Sequence, residues 1–158
     1  MAQTHPGQRP ALIYAASIIV VLIVGGLIGT SIGPATWYTE IRKPPFNPPN
    51  WVFGPVWTLL YIMIGTAFAR VYLRDPGGKA VKIWVVQMLL NWAWTPLWFG
   101  LHQMWLAFAV ISALWIAIVS FIVVARRTDR LAAVLFVPYL AWVSFAALLN
   151  GSIAYLNT

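Results

Sequence analysis

Five long runs of uncharged, mostly apolar residues constrain this chain more than any other feature. Each run is at least 19 residues long, and they cover residues 11–32, 51–69, 83–101, 103–125 and 131–153. About 20 helical residues cross a hydrocarbon core of about 30 Å. A transmembrane β-barrel would instead show segments of about ten residues that alternate in polarity, which these runs do not. The sequence therefore predicts an all-α integral membrane protein, a single domain built as a five-transmembrane-helix bundle.

The composition also indicates that lipid surrounds much of this chain. Of its 158 residues, 61% are hydrophobic and 8% are charged, whereas soluble domains carry about 25% charged residues. The net charge is +7, but the basic residues form short clusters between apolar runs, as in membrane loops. We therefore expect membrane lipid, and no nucleic acid, as a partner. The chain has no cysteine, which excludes disulfides and Cys-based metal sites or catalysis.

The connections between the runs predict the topology. Most are short, so consecutive helices should be antiparallel. The exception is the loop between the first and second helices, residues 33–50, which holds five of the eleven prolines. A long loop in a compact protein is more often functional than idle. Arg42 and Lys43 are the basic residues on that side of the membrane. The opposite side carries eight, which predicts a cytoplasmic N-terminus: Arg9, Arg70, Arg74, Lys79, Lys82, Arg126, Arg127 and Arg130.

Ionisable residues are absent from the five runs, and this argues against two functional classes. The three acidic residues, Glu40, Asp75 and Asp129, all fall in connections. Ion-coupled transporters usually carry carboxylates or histidines within the membrane. The chain also lacks a carboxylate pair or a nucleophile with an obvious base, and His5 and His102 are isolated. We therefore expect no metal site, no ion coupling and no conventional acid–base catalysis.

Aromatic and amide residues recur at helical spacing in three of the runs. In the third run they lie at i, i+4, i+7 and i+11, so they share one helix face. Amides are costly in contact with lipid, so this face should point inward. The stripes are Trp57 and Tyr61 in the second run; Gln87, Asn91, Trp94 and Trp98 in the third; and Pro138, Trp142, Ala146 and Asn150 in the fifth. Two interpretations remain open: helix packing with amide cross-links, or a pocket for a flat, largely apolar ligand.

Small residues also recur at a spacing of four. They are Gly25 and Gly29 in the first run with Gly33 just after it, and Ala109, Ala113 and Ala117 in the fourth run. Such patterns allow close contact between helices. They are equally compatible with packing inside one monomer and with packing in a dimer.

Three long motifs resemble the TspO/translocator protein family, the tryptophan-rich sensory proteins. They are WYTEIRKPPFNPPNWVFGPVWTLLY at residues 37–61, QMLLNWAWTPLWFG at residues 87–100 and PYLAWVSFAALLN at residues 138–150. The likeness runs in order over roughly residues 12–157. It implies a five-helix, commonly homodimeric membrane receptor or carrier in a bacterial inner membrane. Its ligands would be tetrapyrroles such as protoporphyrin IX, bound without any obligatory cofactor, and isoquinoline or benzodiazepine drugs.

The resemblance also implies which residues form the site. By motif position, the pocket would be lined by Phe53, Gly54, Val56, Trp57, Tyr61, Asn91, Trp94, Trp98, Trp142, Ala146 and Leu149. The loop 33–50 would act as a lid through Trp37, Arg42, Lys43 and Pro44. Trp57 and Trp142 match the two positions tied to light-dependent porphyrin degradation in bacterial relatives. They would be the catalytic residues if porphyrin is degraded here.

Two departures from the family pattern limit what it implies. A cholesterol-recognition pattern needs a basic residue after its tyrosine, and only Leu156, Asn157 and Thr158 follow Tyr155. The third helix carries Lys82 and Val86 where some relatives have the glycine pair linked to dimer contacts. Three functions therefore remain: a tetrapyrrole receptor or carrier, a light-dependent porphyrin-degrading enzyme, and a ligand-responsive regulatory membrane protein.

Overall fold

The computed structural model describes residues 8–32 and 36–158, and these residues are almost entirely helical, with no strand among them. The all-α prediction is therefore confirmed for this part of the chain. In chain order the helices are α1 (Gln8–Ser31), α2 (Thr36–Glu40), α3 (Phe53–Arg74), α4 (Lys79–Thr95), α5 (Met104–Thr128), α6 (Arg130–Leu135) and α7 (Val137–Asn157). A 3₁₀ turn, Asn50–Val52, leads into α3, and a π-helical turn, Pro96–Gly100, follows α4.

Four helical stretches of the described chain are long and apolar enough to cross a membrane. They are Arg9–Ser31, Asn50–Arg74, Met104–Thr128 and Arg130–Asn157. They correspond to the first, second, fourth and fifth of the predicted spans. The predicted count of five is thus matched only in part, because the third apolar run does not form one long α-helix.

Two prolines explain where the helices depart from the predicted runs. Proline has no N–H to donate, so the helix must change its pairing. After Pro96 the backbone N–H of Leu101 donates to the Pro96 carbonyl at 2.8 Å, an i to i−5 bond of the π type. The fifth run is interrupted at Phe136, two residues before Pro138, and this turn separates α6 from α7.

Close packing around a glycine joins the first two long helices. α1 packs chiefly on α3, α4 on α5, and α5 on α7. A Cβ atom at Gly65 would lie 2.7 Å from the Cα atom of Ile18. The Ser17 hydroxyl donates to the Gly65 carbonyl at 3.0 Å. Gly65 therefore lets α1 and α3 approach at backbone distance, which membrane helices achieve with small residues.

The glycine pattern of α1 has a different role at each position. A Cβ atom at Gly25 would overlap the ring of Tyr61, so Gly25 makes room for that ring. A Cβ atom at Gly29 would meet nothing within 4 Å. Gly33 lies outside the described residues, as does His5. Within the described part, the pattern therefore serves packing inside the monomer only at Gly25.

An ion-pair cluster connects three elements at the end of the bundle that carries most of the basic residues. The Asp129 side chain is 2% exposed and accepts from Arg70 at 3.0 Å and from Arg74 at 2.8 Å. Its Oδ1 also accepts from the Ala132 backbone N–H at 2.9 Å, which caps α6. Burial alone would raise the pKa of the Asp129 carboxyl, but the bonds from Arg70 and Ala132, with the charge of Arg74, hold that pKa below its ordinary value.

Candidate functional site

Aromatic rings of α3 and α7 meet in the half of the bundle opposite the Asp129 cluster. The ring centroid of Trp57 lies 5.3 Å from that of Tyr61 and 6.3 Å from that of Tyr139. Phe53, one turn before Trp57, lies 5.8 Å from Trp142 with the rings nearly perpendicular. Trp57, Tyr61, Phe53 and Trp142 are all half-buried. Two of the three helices predicted to form the site therefore bring their aromatic residues together.

A chain of four polar side chains runs from this aromatic group into the core. The Tyr61 hydroxyl donates to Asn91 Oδ1 at 3.2 Å, and Asn91 Nδ2 donates to the Tyr139 hydroxyl at 2.8 Å. The Tyr139 hydroxyl donates in turn to Gln87 Oε1 at 3.1 Å. Gln87 is 0% exposed and Asn91 is 5% exposed. The amides of α4 thus point inward, where each finds hydrogen-bonding partners.

A second aromatic layer lies where α4 ends. Trp94 and Trp98 are stacked, with centroids 5.9 Å apart and planes inclined by 11°. The Trp94 indole N–H donates to Asn150 Oδ1 at 3.0 Å, and Asn150 Nδ2 donates to the Met104 carbonyl at 3.2 Å. Trp98 is 2% exposed and packs in one cluster with Leu149. This layer joins α4, α5 and α7 next to the loop.

The described part of the loop, residues 36–50, lies against this second layer through aromatic contacts. Trp37 stacks on His102 with centroids 4.2 Å apart, and its ring lies 6.0 Å from that of Trp98. Phe46 lies 6.4 Å from Phe145 of α7. The loop therefore covers this end of the bundle. Residues 33–35 of the predicted lid lie outside the described residues.

Polar contacts within the loop fix its shape. The Lys43 ammonium donates to the Ile41 carbonyl at 3.1 Å and lies 4.9 Å from the Tyr38 ring centroid. Burial raises the pKa of the Tyr38 hydroxyl, which therefore stays protonated and donates to Asn47 Oδ1 at 2.9 Å. Arg42 is exposed, and its backbone is paired with Asn157 of α7.

The remaining predicted site residues differ in exposure. Val56 and Ala146 are half-buried against the main apolar core. Pro44 of the loop is buried, whereas Gly54 is exposed near the start of α3. A Cβ atom at Gly54 would meet nothing within 4 Å. The assignment of these residues to a ligand site stays a prediction.

Two buried indole N–H groups have no hydrogen-bond partner among the described residues. They belong to Trp142, in the aromatic group, and to Trp92 of α4. A buried donor without an acceptor costs about 1–3 kcal/mol. The Trp142 N–H is therefore a donor available to an acceptor group on a bound ligand.

Two cavities in the described structure lie away from this aromatic group. An apolar groove of about 860 Å³ lies between α5 and α7, lined among others by Phe108, Trp115 and Gly151. A smaller cavity of about 420 Å³ lies beside Asp75, Lys79 and Arg127. Neither is lined by a predicted pocket residue. At the predicted site, the aromatic side chains contact one another instead. No group of three His, Cys, Asp or Glu in residues 8–32 and 36–158 could hold a metal ion.

Sequence reasoning missed several residues that the structure places at this end of the bundle. Tyr139 is three positions before Trp142, so helical spacing places it near the same face. Phe145 likewise follows Trp142 by three positions. The contacts of His102 with Trp37 and of Asn157 with Arg42 join distant segments, and local spacing carries no signal for either.

Comparison with known proteins gives a consistent family assignment. The model of the TspO/MBR family matches residues 15–156. The chain is 42% identical to the tryptophan-rich protein TspO of Chlorobaculum tepidum over 129 residues, which cover 78% of this chain and 82% of that protein. It is 34% identical to protein CrtK of Rhodobacter capsulatus, with 90% and 91% covered. It is 39% identical to the human translocator protein, with 72% and 70% covered.

Proposed function

Since the chain belongs to the TspO/MBR family, we propose that it is a membrane receptor or carrier for flat, largely apolar ligands. Tetrapyrroles, protoporphyrin IX above all, are the proposed ligands, and isoquinoline- or benzodiazepine-type drugs would occupy the same site. The site lies between α3, α4 and α7. It is formed by the predicted pocket residues, with the loop 33–50 as its lid.

One observation carries this proposal: three helices direct aromatic rings and a few amides toward one region beneath a loop. Trp57, Trp94 and Trp142 come from α3, α4 and α7. Ligand sites for flat molecules are mostly aromatic, with a small number of orienting polar groups. Each stacked aromatic pair contributes about 0.5–1.5 kcal/mol beyond area burial. Several indoles can therefore give useful affinity without any buried charge.

Polar groups at the two edges of the site would orient the ligand. Asn91 and the unpaired Trp142 N–H would meet polar atoms of the ligand inside the bundle. The exposed Arg42 and the neighbouring Lys43 would meet carboxylates, such as porphyrin propionates, at the loop. Bonds between a guanidinium or ammonium and a carboxylate are about twice as strong as neutral ones. The ligand would thus lie with its acidic edge toward the loop.

We also propose that α4 and its π-helical turn form a fifth membrane span. The 17 residues of α4 and the five residues Pro96–Gly100 are continuous. A helix of this combined length measures about 33 Å, enough to cross a hydrocarbon core. Five spans and the distribution of basic residues would place the N-terminus in the cytoplasm and the loop 33–50 outside, in a bacterial inner membrane.

A homodimer is a further part of the proposal. Its contact face would differ from that of relatives with dimer glycines on this helix, because the exposed Lys82 and Val86 stand at those positions on α4. The glycines of α1 are then candidates for the contact. Light scattering of the protein in detergent, corrected for bound detergent, separates monomer from dimer. A mass of 17.6 kDa for the protein component would contradict the dimer.

Equilibrium titration tests the ligand assignment. The protein in nanodiscs would be titrated with protoporphyrin IX while its intrinsic tryptophan fluorescence is recorded. We expect saturable quenching that an isoquinoline carboxamide reverses by competition. Nanodiscs that hold a tryptophan ester instead of the protein are the control, and we expect their quenching to rise linearly as porphyrin partitions into the lipid. The same linear rise with the protein would contradict a defined site. Proteoliposome flux of the bound porphyrin then separates a carrier from a ligand-responsive regulatory protein.

A second candidate function is light-dependent oxidation of the bound porphyrin. The observation that favours it is the contact of Trp57 with Tyr61 and Tyr139, at 5.3 Å and 6.3 Å between centroids. In this scheme excited porphyrin takes an electron from the Trp57 indole, a neighbouring tyrosine replaces that electron and loses a proton, and dioxygen is the oxidant that reacts with the reduced macrocycle and opens it. Absorption spectra of the bound porphyrin under light and oxygen test this. A spectrum unchanged by illumination would exclude degradation by this protein.

A further inference from the structure

The hydrogen-bond chain behind Tyr61 has an unusual property: every group in it can both donate and accept. Tyr61 and Tyr139 contribute hydroxyls, and Asn91 and Gln87 contribute amides. In the structure the donors point inward, from Tyr61 through Asn91 and Tyr139 to Gln87 Oε1. The Tyr61 oxygen therefore keeps lone pairs free, because its hydrogen is used by Asn91.

The hydrogen bonds among these four side chains can also run in the opposite direction. Only the oxygen and nitrogen atoms of the two amides need to exchange places, and the tyrosine rings stay where they are. If both amides rotate by half a turn, Gln87 Nε2 donates to Tyr139, Tyr139 donates to Asn91 Oδ1, and Asn91 Nδ2 donates to Tyr61. The Tyr61 O–H is then free. Reversal thus makes the Tyr61 O–H available as a donor to anything bound beside it, while the Asn91 N–H occupies one of the two lone pairs of the Tyr61 oxygen.

The two hydrogen-bond directions have similar free energies, because in each of them one polar atom of Gln87 lacks a strong hydrogen-bond partner. In the observed direction Gln87 Nε2 has only the sulfur of Met88, at 3.9 Å, as a partner. Thioether sulfur is a weak acceptor. In the reversed direction Gln87 Nε2 donates to Tyr139, and Gln87 Oε1 has no donor. Each direction leaves one polar atom of a residue that is 0% exposed without a strong partner.

We propose that Gln87 and Tyr139 are positioning residues that make this chain reversible. The site therefore accepts ligands with either a hydrogen-bond donor or an acceptor at Tyr61. This inference rests on the proposed function, since it concerns the ligand chemistry of the same site. Donor ligands, such as those with a ring N–H, pair with the Tyr61 oxygen in the observed direction. Acceptor ligands, such as ketones, receive the Tyr61 O–H in the reversed direction.

Three tricyclic aromatic probes of nearly equal size test the proposal. Carbazole offers an N–H donor, fluorenone offers a carbonyl acceptor, and fluorene offers neither. Their dissociation constants would be measured by quenching of tryptophan fluorescence in nanodiscs. In the wild-type protein we expect carbazole and fluorenone each to bind about three- to tenfold more tightly than fluorene.

The variant Gln87→Leu removes the inner end of the chain. Tyr139 can then pair its hydrogen only by donating to Asn91, which fixes the reversed direction. We expect fluorenone to keep its advantage over fluorene and carbazole to lose its advantage.

The double variant Gln87→Leu, Tyr139→Phe frees the Asn91 amide to rotate, so carbazole should regain its advantage. Ile118→Val, at a fully buried core position of α5 outside the chain, is the matched control and should leave both ratios unchanged.

An infrared measurement on the wild-type protein gives an independent test if Gln87→Leu does not fold. Glutamine labelled with ¹³C at the side-chain carbonyl reports the bonding of Gln87, which is 0% exposed, whereas Gln103, the other glutamine whose side chain the structure describes, is exposed. Its carbonyl band should lie at higher frequency with fluorenone bound than with carbazole bound, since reversal removes the bond from Tyr139. Identical bands in the two complexes would overturn the proposal.

The outcomes separate this inference from the proposed function. If none of the three probes binds saturably, the site itself is absent, and both proposals fail. If all three bind with equal affinity, or if Gln87→Leu weakens carbazole and fluorenone equally, the site stands. In those two cases the reversible chain is wrong.

Discussion

Asn157 and Arg42 are joined by two reciprocal hydrogen bonds, although 115 residues separate them in sequence. The Arg42 backbone N–H donates to Asn157 Oδ1 at 2.9 Å, and Asn157 Nδ2 donates to the Arg42 carbonyl at 2.8 Å. This pairing attaches the loop to the end of α7. It leaves the Arg42 side chain exposed at the edge of the proposed site.

Replacing Asn157 should loosen the loop. In Asn157→Ala both bonds are lost, and two partly exposed hydrogen bonds contribute about 1–2 kcal/mol. We expect the Arg42 amide to exchange with deuterium about five times faster or more, and bound protoporphyrin IX to dissociate faster. Thr158→Ala is the control, because the Thr158 hydroxyl accepts from the Trp105 indole N–H at 3.3 Å and donates to the Ala154 carbonyl at 2.8 Å, and neither bond involves the loop. Unchanged exchange at Arg42 would show that other contacts hold the loop.

His102 combines backbone strain with a stacking contact. Its φ is 55°, in the left-handed region that favours glycine. Both His102→Gly and His102→Ala lose the stack on Trp37, but only alanine keeps the strain. We therefore expect the glycine variant to be about 1 kcal/mol more stable than the alanine variant. Thermal unfolding in detergent measures this difference, and equal midpoints would argue against strain at this position.

Gly25 controls the position of the Tyr61 ring. In Gly25→Ala the new Cβ atom would overlap Tyr61, so the ring must leave the position in which its hydroxyl donates to Asn91. We expect weaker binding of protoporphyrin IX and lower stability, by about 1–3 kcal/mol for an overpacked site. The neighbouring Gly26→Ala adds a methyl group where nothing lies within 4 Å, so it should change neither quantity. Equal affinity in the two variants would place Tyr61 outside the site.

The Asp129 cluster predicts a loss of stability in acid. The pKa of Asp129 is lower in the folded protein than its ordinary value of 3.8. A depressed folded-state pKa stabilises the fold above the unfolded value, and this contribution disappears as pH falls through the folded-state value. In Asp129→Asn we expect stability to fall by about 1.5–3 kcal/mol at neutral pH. The difference from wild type should shrink as the pH falls below 3.8 and through the lowered folded-state pKa.

That prediction is checked by unfolding the two proteins across pH 2–7. Asparagine can still accept the Ala132 N–H, so the comparison isolates the pairs with Arg70 and Arg74. A stability difference that stays constant with pH would mean that the charge of Asp129 contributes nothing.

Much of the helical architecture could be predicted because a segment that crosses lipid must be both apolar and helical. Apolar runs of sufficient length must form helices, since every backbone group needs an internal partner. The spacing of Gln87, Asn91 and Trp98 also indicated an inward face, and all three are buried. The end of α4 within the third run could not be predicted from hydropathy. Pro96 changes the backbone hydrogen bonding there, while the residues on both sides stay apolar.

The details of the candidate site were less accessible to sequence reasoning. The spacing of Trp57 and Tyr61 predicted a shared face, but not the chain from Tyr61 to Gln87. That chain depends on Tyr139, which comes from another helix and lies 48 residues after Asn91. The pairing of Asn157 with Arg42 likewise joins two segments that local spacing does not relate. Contacts of this kind follow from packing between helices, and one helix's periodicity does not contain them.

The central claim is that protoporphyrin IX binds among α3, α4 and α7 rather than in the apolar groove between α5 and α7. The direct test compares its dissociation constant in two double variants. Trp57→Ala, Trp142→Ala removes indoles of the proposed site. Trp105→Ala, Trp115→Ala removes exposed indoles, of which Trp115 lines the groove.

The first double variant should bind protoporphyrin IX about tenfold more weakly or worse, since two aromatic contacts are lost. The second should stay within about twofold of wild type. Retained affinity in the first variant, together with loss in the second, would contradict the proposed site and assign the ligand to the groove.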